Sequence, residues 1–304
     1  MIHWANLNEV SASLGIRSLF LVYKLFGRFP VQLILYPVAL WFFIFAKVAR
    51  RSSCDYLERL YLYSGGTSPS SSWINVYRHI YSFAECILDK LIIWGGKIDD
   101  LNYSVNQINE IDNLLEDYKG AIIVVSHLGN LDFCRAIAKF RPNTDLTVLV
   151  HTAHAEKFNT LLRDINPHSG LNIIQVSKFS MQDAMLLSEK IQKGGLIAIA
   201  GDRIPLSWGN TIPLSFLGYK AEFPVGSYLL GKTLRCQLLS LMAIKVNGRY
   251  EISCKKIADF SDPSNLEPTE LIAQRFADLL RDGCLRSPFQ WFNFYPFWQS
   301  VDHG

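Results

Sequence analysis

Charge is what this chain has least of. Asp, Glu, Lys and Arg make up 19% of its 304 residues, against roughly 25% in ordinary soluble domains. Lys+Arg 30 against Asp+Glu 27 leaves a net of only +3, so no basic field argues for nucleic acid and none is expected as a partner. The six cysteines (Cys54, Cys86, Cys134, Cys236, Cys254 and Cys284) include no CxxC pair and no metal-ligand spacing. Reduced thiols are therefore expected, with no disulfide scaffold, no metal site and no cofactor. A Walker loop, a GxGxxG turn after a strand and a GxSxG elbow are all missing, and the last absence argues against an α/β-hydrolase. No internal repeat occurs.

In place of charge there is apolar surface: hydrophobic residues reach 49%, aromatics 13%, and mean hydropathy is +0.13. Much of the excess is local. Phe29 to Ala46 reads FPVQLILYPVALWFFIFA without one Asp, Glu, Lys, Arg or His. As a helix it measures about 27 Å, the short edge of what crosses a hydrocarbon core of about 30 Å. Pro30 suits a first turn, whereas Pro37 is expected to kink the helix or let it re-enter. Arg17, Lys24 and Arg28 precede the run and Lys47, Arg50 and Arg51 follow it, so the positive-inside rule does not orient a crossing. A hairpin or in-plane anchor on the cytoplasmic face fits equally well. Val10 to Phe26 reads as a basic amphipathic helix suited to an anionic membrane surface or to packing. We divide the chain into an anchor at 1–55 and a catalytic domain at 56–304.

After Ser64–Ser72 (SGGTSPSSS), a loop by composition, helical spacing returns over Trp73–Trp94 and Val105–Tyr118. From Gly120 short apolar strands alternate with helices. Strands are predicted at Ala121–Ser126, Leu146–Val150, Asn172–Val176 and Leu196–Ala200. The helices between and after them are predicted at Leu131–Phe140, Ala155–Asp164 and Ser180–Gln192. A helix at Phe223–Gly231, strands at Gln237–Val246 and Tyr250–Cys254, and a helix at Pro268–Leu280 complete the pattern. This alternation predicts an α/β fold, a mostly parallel central sheet flanked by helices.

The densest chemistry lies in VVSHLGNLDF, Val124 to Phe133. A buried strand ends at Ser126, His127 occupies the turn and a helix begins near Leu131, the kind of strand exit where α/β sheets bind ligands. Asp132, in the first helical turn, is placed to fold back onto the imidazole. A carboxylate there fixes the tautomer and raises the basicity of the other nitrogen, as a general base requires. The plainer alternative is a turn histidine beside an aspartate that serves the helix dipole.

HLGNLD resembles the H-x4-D/E box of the glycerolipid and lipid A acyltransferases. Three further segments follow in the same order as in the lipid A branch: GDRIP (Gly201 to Pro205), FLGYKAEFPVGSYLLG (Phe216 to Gly231), and an aromatic ending FQWFNFYPFW (Phe289 to Trp298). The last is similar to a subgroup associated with polyene-type lipid clusters. Asp132 stands where the lipid A branch usually carries Glu. The resemblance implies a membrane-associated acyltransferase of the bacterial inner membrane, its catalytic domain on the cytoplasmic face. Such an enzyme moves an acyl group from an acyl carrier protein or CoA thioester to a hydroxyl or amine of a lipid acceptor. A membrane-bound thioesterase or lipase using the same His-Asp pair with water is the alternative.

On this resemblance His127 and Asp132 are catalytic, and Gly129, Asn130, His154, Lys157, Asn159, Asp202, Arg203 and Gly218 bind substrate. Backbone N–H groups near Gly129-Asn130 and the Arg203 guanidinium are the candidate oxyanion donors. Asp202 is expected to position Arg203, and Gly218 to serve a turn. The aromatic ending reads as core, or as a belt at headgroup level.

Overall fold

The structure, a computed structural model, describes residues 9–105, 120–133, 145–150, 172–175, 181–204, 210–262 and 267–298. It opens with four helices, α1 (Glu9–Phe26), α2 (Arg28–Phe45), α3 (Lys47–Tyr63) and α4 (Trp73–Trp94). The uncharged run is α2, which continues through Pro37. Its buried residues, Val31, Leu35 and Ala39, recur every four positions and so form one stripe. That stripe lies along α4. Gln32 donates to Glu85 at 2.8 Å, Tyr36 stacks on Tyr81 at 4.5 Å, and Phe43 meets Tyr77 edge-on at 6.1 Å. At the near end Arg28 pairs with the buried carboxylate of Asp89, which also takes Lys245 at 3.2 Å and the Tyr250 hydroxyl at 2.7 Å. Rising numbers on α2 meet falling numbers on α4, so the two helices run antiparallel over the full length of α2. The other face, with Phe29, Leu33, Trp41, Phe42 and Phe45, is exposed. By length and composition α2 could cross a membrane.

The Ser-rich loop ends where α4 begins. Ser72 caps the helix by accepting the Asn75 N–H at 3.4 Å, a contact type that stabilises a helix by about 1 kcal/mol. From α4 the chain enters a seven-stranded sheet. Its strands are β1 (Tyr103–Val105), β2 (Ala121–Val125), β3 (Leu146–Val150), β4 (Asn172–Gln175), β5 (Leu196–Ala200), β8 (Gln237–Val246) and β9 (Arg249–Asp259), in the order β1-β9-β8-β2-β5-β3-β4. Every pairing is parallel except β8 with β9. Strands β6 (Thr211–Phe216) and β7 (Tyr219–Pro224) form a separate antiparallel hairpin. Helices α5 (Met181–Gln192), α6 (Gly226–Leu234) and α7 (Thr269–Arg286) are the remaining α-helices among the described residues.

The sheet is covered on both faces, which explains why β2 reads AIIVV without a polar residue. Ile122 and Val124 join a cluster with Phe276 and Leu280 of α7. Ala121, Ile123 and Val125 join another with Leu88, Leu91 and Ile92 of α4. The mostly parallel α/β sheet is the architecture that the alternation predicts.

Some elements differ from their prediction. Instead of a helix from Phe223, β7 runs to Pro224 and α6 starts at Gly226. The reason is the two-residue turn at Leu217 and Gly218, whose φ values of 52 and 81 are those of a hairpin turn. Of the helix expected at 131–140 only the first turn, a 3-10 turn at Leu131–Phe133, falls within the described residues. The helix expected at Val105–Tyr118 starts on a residue that closes β1 instead; the rest of it, and the helix expected at Ala155–Asp164, lie outside them.

Candidate active site

Two adjacent parallel strands deliver the site. β2 pairs with β5 in a register that sets Ala121 opposite Leu196 and Val125 opposite Ala200. The same offset carried two residues past each strand end puts His127 opposite Asp202. Glycines let the strand ends approach. A Cβ on Gly201 would lie 2.5 Å from Val124 Cγ1, and one on Gly129, where φ is +70, would lie 2.0 Å from the Ala243 carbonyl oxygen.

Asp202 is fully buried and holds His127 twice. Its Oδ2 accepts the His127 backbone N–H at 2.8 Å, and its Oδ1 lies 2.8 Å from the imidazole Nδ1. The indole N–H of Trp291 donates to Oδ2 at 3.0 Å. With a carboxylate as acceptor, Nδ1 carries the proton and Nε2 keeps its lone pair, a tautomer that follows from the network. The imidazole retains 22% of its side-chain exposure, leaving Nε2 as the nitrogen for incoming groups.

Burial is the largest influence on both groups. It pushes the His127 imidazole below its ordinary 6.5; Asp202 opposes this by charge and hydrogen bond, and the Arg203 and Lys90 cations add to the lowering. Burial alone would raise the Asp202 carboxyl. The His127 charge, its two hydrogen bonds and the Trp291 N–H outweigh it and hold the group below the usual carboxylate range. At neutral pH the pair is therefore a neutral imidazole on an ionised carboxylate, the state a general base needs.

The imidazole is thus held by Asp202, whereas the sequence pointed to Asp132. Asp132 instead accepts the Trp94 indole N–H at 2.7 Å, and Lys90 lies 3.6 Å from it. The intervening turn fixes that direction. The Asn130 N–H donates to the Ala243 carbonyl at 2.9 Å, and Asn130 Oδ1 accepts the Asp132 N–H at 3.1 Å. The first contact ties the turn to β8 and the second closes it on itself, with the Asp132 carboxylate on the α4 side.

The Gly129 N–H donates to the Gln290 carbonyl at 2.8 Å. Like that of Asn130, it is already bonded within the protein, so these two amides are not the oxyanion donors the sequence suggested. Arg203 remains the candidate. Its Nη2 donates to the Phe292 carbonyl at 3.2 Å, and its guanidinium lies over the Tyr295 ring at 5.8 Å. Its Nε is buried without a hydrogen-bond partner among the described residues. Asp202 serves His127, in place of the expected positioning of Arg203.

Gly218 sits in the β6–β7 turn, as its conformation demands. His154, Lys157 and Asn159 lie outside the described residues. No cluster of three or more His, Cys, Asp or Glu fit for a metal occurs among the described residues.

The aromatic ending is core. Trp291 is fully buried, and Phe292, Phe297 and Trp298 are at most 5% exposed. It also forms one wall of the site, because Leu128 bridges to Trp291 and the Phe292 N–H donates to the His127 carbonyl at 2.9 Å. The sequence marks the aromatic ending as core or belt but not as part of the site; within FQWFNFYPFW nothing distinguishes Trp291, whose indole N–H meets the buried carboxylate.

No curated protein matches the chain. The family profile described as bacterial lipid A biosynthesis acyltransferase matches residues 81–300, which takes in both strand ends, the hairpin and the aromatic wall. A match over that length, more than two thirds of the chain, places this protein in the bacterial lipid A biosynthesis acyltransferase family.

Proposed function

We propose that the protein transfers a fatty acyl group from an acyl carrier protein or CoA thioester to a hydroxyl or amine of a membrane lipid, with His127 as general base. The observation that carries this reading is the buried Asp202 carboxylate on His127 Nδ1 at 2.8 Å, which leaves Nε2 free to take a proton. Nε2 removes the acceptor proton as the acceptor oxygen or nitrogen bonds to the thioester carbonyl carbon. Collapse of the tetrahedral intermediate breaks the C–S bond, and the imidazolium returns its proton to the leaving thiol. No covalent enzyme intermediate is needed. Arg203 faces the developing oxyanion, a placement often worth several kcal/mol in a water-poor site. Asp132, held between Lys90 and Trp94, steadies the HLGN turn beside Gly129 and Asn130. His154, Lys157 and Asn159 contribute to the acceptor pocket.

Residues 1–55 supply the attachment to the cytoplasmic face of a bacterial inner membrane, and residues 56–304 the chemistry. The exposed Phe29, Leu33, Trp41, Phe42 and Phe45 face is the surface for lipid. Because α2 is packed lengthwise on α4, the helix lies along the catalytic domain and enters one leaflet in the plane of the membrane.

The experiment supplies purified protein with radiolabelled acyl carrier protein in vesicles of bacterial lipid extract. Label in a lipid product supports the reading. Label released only as free fatty acid assigns the protein to the thioesterases instead.

A further inference from the structure

We propose that Trp291 is a positioning residue for the transfer reaction, its indole N–H fixing Asp202 so that Oδ1 faces His127, with His79 fixing Trp291 in turn. The proposal rests on the reading of His127 and Asp202 as the base pair.

Asp202 Oδ2 receives two donors from different parts of the chain, the His127 backbone N–H at 2.8 Å and the Trp291 indole at 3.0 Å. The backbone N–H belongs to the residue being held, so it cannot orient the carboxylate relative to His127 independently. Trp291 supplies an outside reference. It is anchored from three sides. Its backbone bridges Leu128, while the neighbouring Gln290 carbonyl accepts the Gly129 N–H at 2.8 Å and the Phe292 N–H donates to His127 at 2.9 Å. Its ring packs against Tyr56, Phe216 and Phe297 at centroid distances of 5.0, 5.2 and 5.0 Å. Its carbonyl lies 3.0 Å from Nε2 of His79.

His79 is itself fully buried, and its Nδ1 lies 2.8 Å from the Ser53 hydroxyl. The carbonyl can only accept, so Nε2 bears the proton and Nδ1 accepts from Ser53. Burial pushes this imidazole down to about 4, against the upward pull of the Trp291 carbonyl bond, so the peg stays neutral where the enzyme works. The aromatic ending thus becomes a strap that connects α3 and α4 to the carboxylate beneath the base.

Phe in place of Trp291 keeps most of the ring and deletes the N–H. Trp298→Phe is the matched control, since its Nε1 is buried without a partner among the described residues. Loss of one hydrogen bond to a charged acceptor predicts a kcat roughly tenfold lower in W291F, with KM within about twofold. The acid limb of kcat against pH also moves. A carboxylate that has lost a donor stabilises the imidazolium more, so the limb shifts to higher pH. The other groups facing the pair are unchanged in W291F: Arg203, Lys90 with its partner Asp132, Cys284 from α7, and Tyr295, whose hydroxyl donates to the Asp202 carbonyl at 3.3 Å. A merely structural tryptophan would lower the melting temperature and leave the limb in place.

A W291F limb and kcat equal to those of W298F overturn the proposal. A measurement on the wild-type side chain covers the case in which W291F does not fold: with 15N-labelled indoles, one N–H resonance titrates with the midpoint of the acid limb, and this titration disappears in His127→Ala. If no indole resonance does so, the proposal also fails. Inactive H127A and D202N variants beside a normal W291F limb would overturn this role alone; full activity in H127A would overturn the base pair itself.

Discussion

Replacing Asp202 by Asn changes the chemistry of one atom and reverses the base. Oδ2 accepts two N–H groups, from the His127 backbone and the Trp291 indole, so the amide oxygen of the substituted side chain must occupy that position. The new NH2 then replaces Oδ1, 2.8 Å from Nδ1, and donates where the carboxylate accepted. Nδ1 must become the acceptor, the proton moves to Nε2, and the nitrogen that faces the substrate loses its lone pair. A comparable tautomer inversion in a hydrolase triad costs about 10⁴ in kcat. We therefore expect D202N to lower single-turnover transfer by roughly 10³ to 10⁴, equivalent to about 4–5.5 kcal/mol of barrier. The assay mixes excess enzyme with radiolabelled acyl carrier protein and vesicle lipid, then follows acyl-lipid by chromatography. D202N within tenfold of the wild-type rate refutes the pairing of Asp202 with His127, most sharply if D132N is then the inactive variant.

Exchanging exposed Leu33, Trp41, Phe42 and Phe45 together for Ser or Gln leaves the buried Val31, Leu35 and Ala39 stripe intact, and should move the protein from the membrane pellet to the soluble fraction without loss of helicity. Removing α2 altogether is a poorer test, because Asp89 would lose Arg28, and breaking buried pairs of this kind costs up to about 3–5 kcal/mol. Gly129→Ala puts a Cβ 2.0 Å from the Ala243 oxygen at a φ of +70; urea melts should show destabilisation of more than about 2 kcal/mol, as expected for overpacking and backbone strain. His79 imposes an acid dependence on stability. The unfolded chain protonates at its ordinary 6.5 and the folded one near 4, so stability is full above pH 6.5 and falls as pH drops toward 4. The loss is about 3 kcal/mol. In His79→Phe the slope should be clearly shallower in melts taken across that range, the remainder belonging to His127, which burial also holds below its ordinary 6.5.

Local features of the site were legible in the chain. AIIVV, its strand exit and His127 follow from apolar runs and turn residues, and α2 announces itself by eighteen residues in which Arg28 is the only charge. The partner of His127 was not legible. Asp132 is near in sequence and so looked like the natural carboxylate, whereas Asp202 reaches the imidazole only because β5 lies directly beside β2, although β3 and β4 come between them in the chain. Strand order is a property of the whole sheet and leaves no local mark. The hairpin at Thr211–Pro224 was hidden for a different reason: Leu217 takes a positive φ that its side chain does not advertise. The aromatic ending was ambiguous because buried and interfacial aromatics have the same composition, and only packing against Tyr56 and Phe216 separates them.

His127 is expected to activate a lipid acceptor toward an acyl thioester. This activation is tested most directly by mass spectrometry of lipid recovered after one turnover with wild-type protein and with a folded His127→Ala variant. An acylated lipid is expected from the wild type and none above background from the variant. Equal acyl-lipid from both would contradict it.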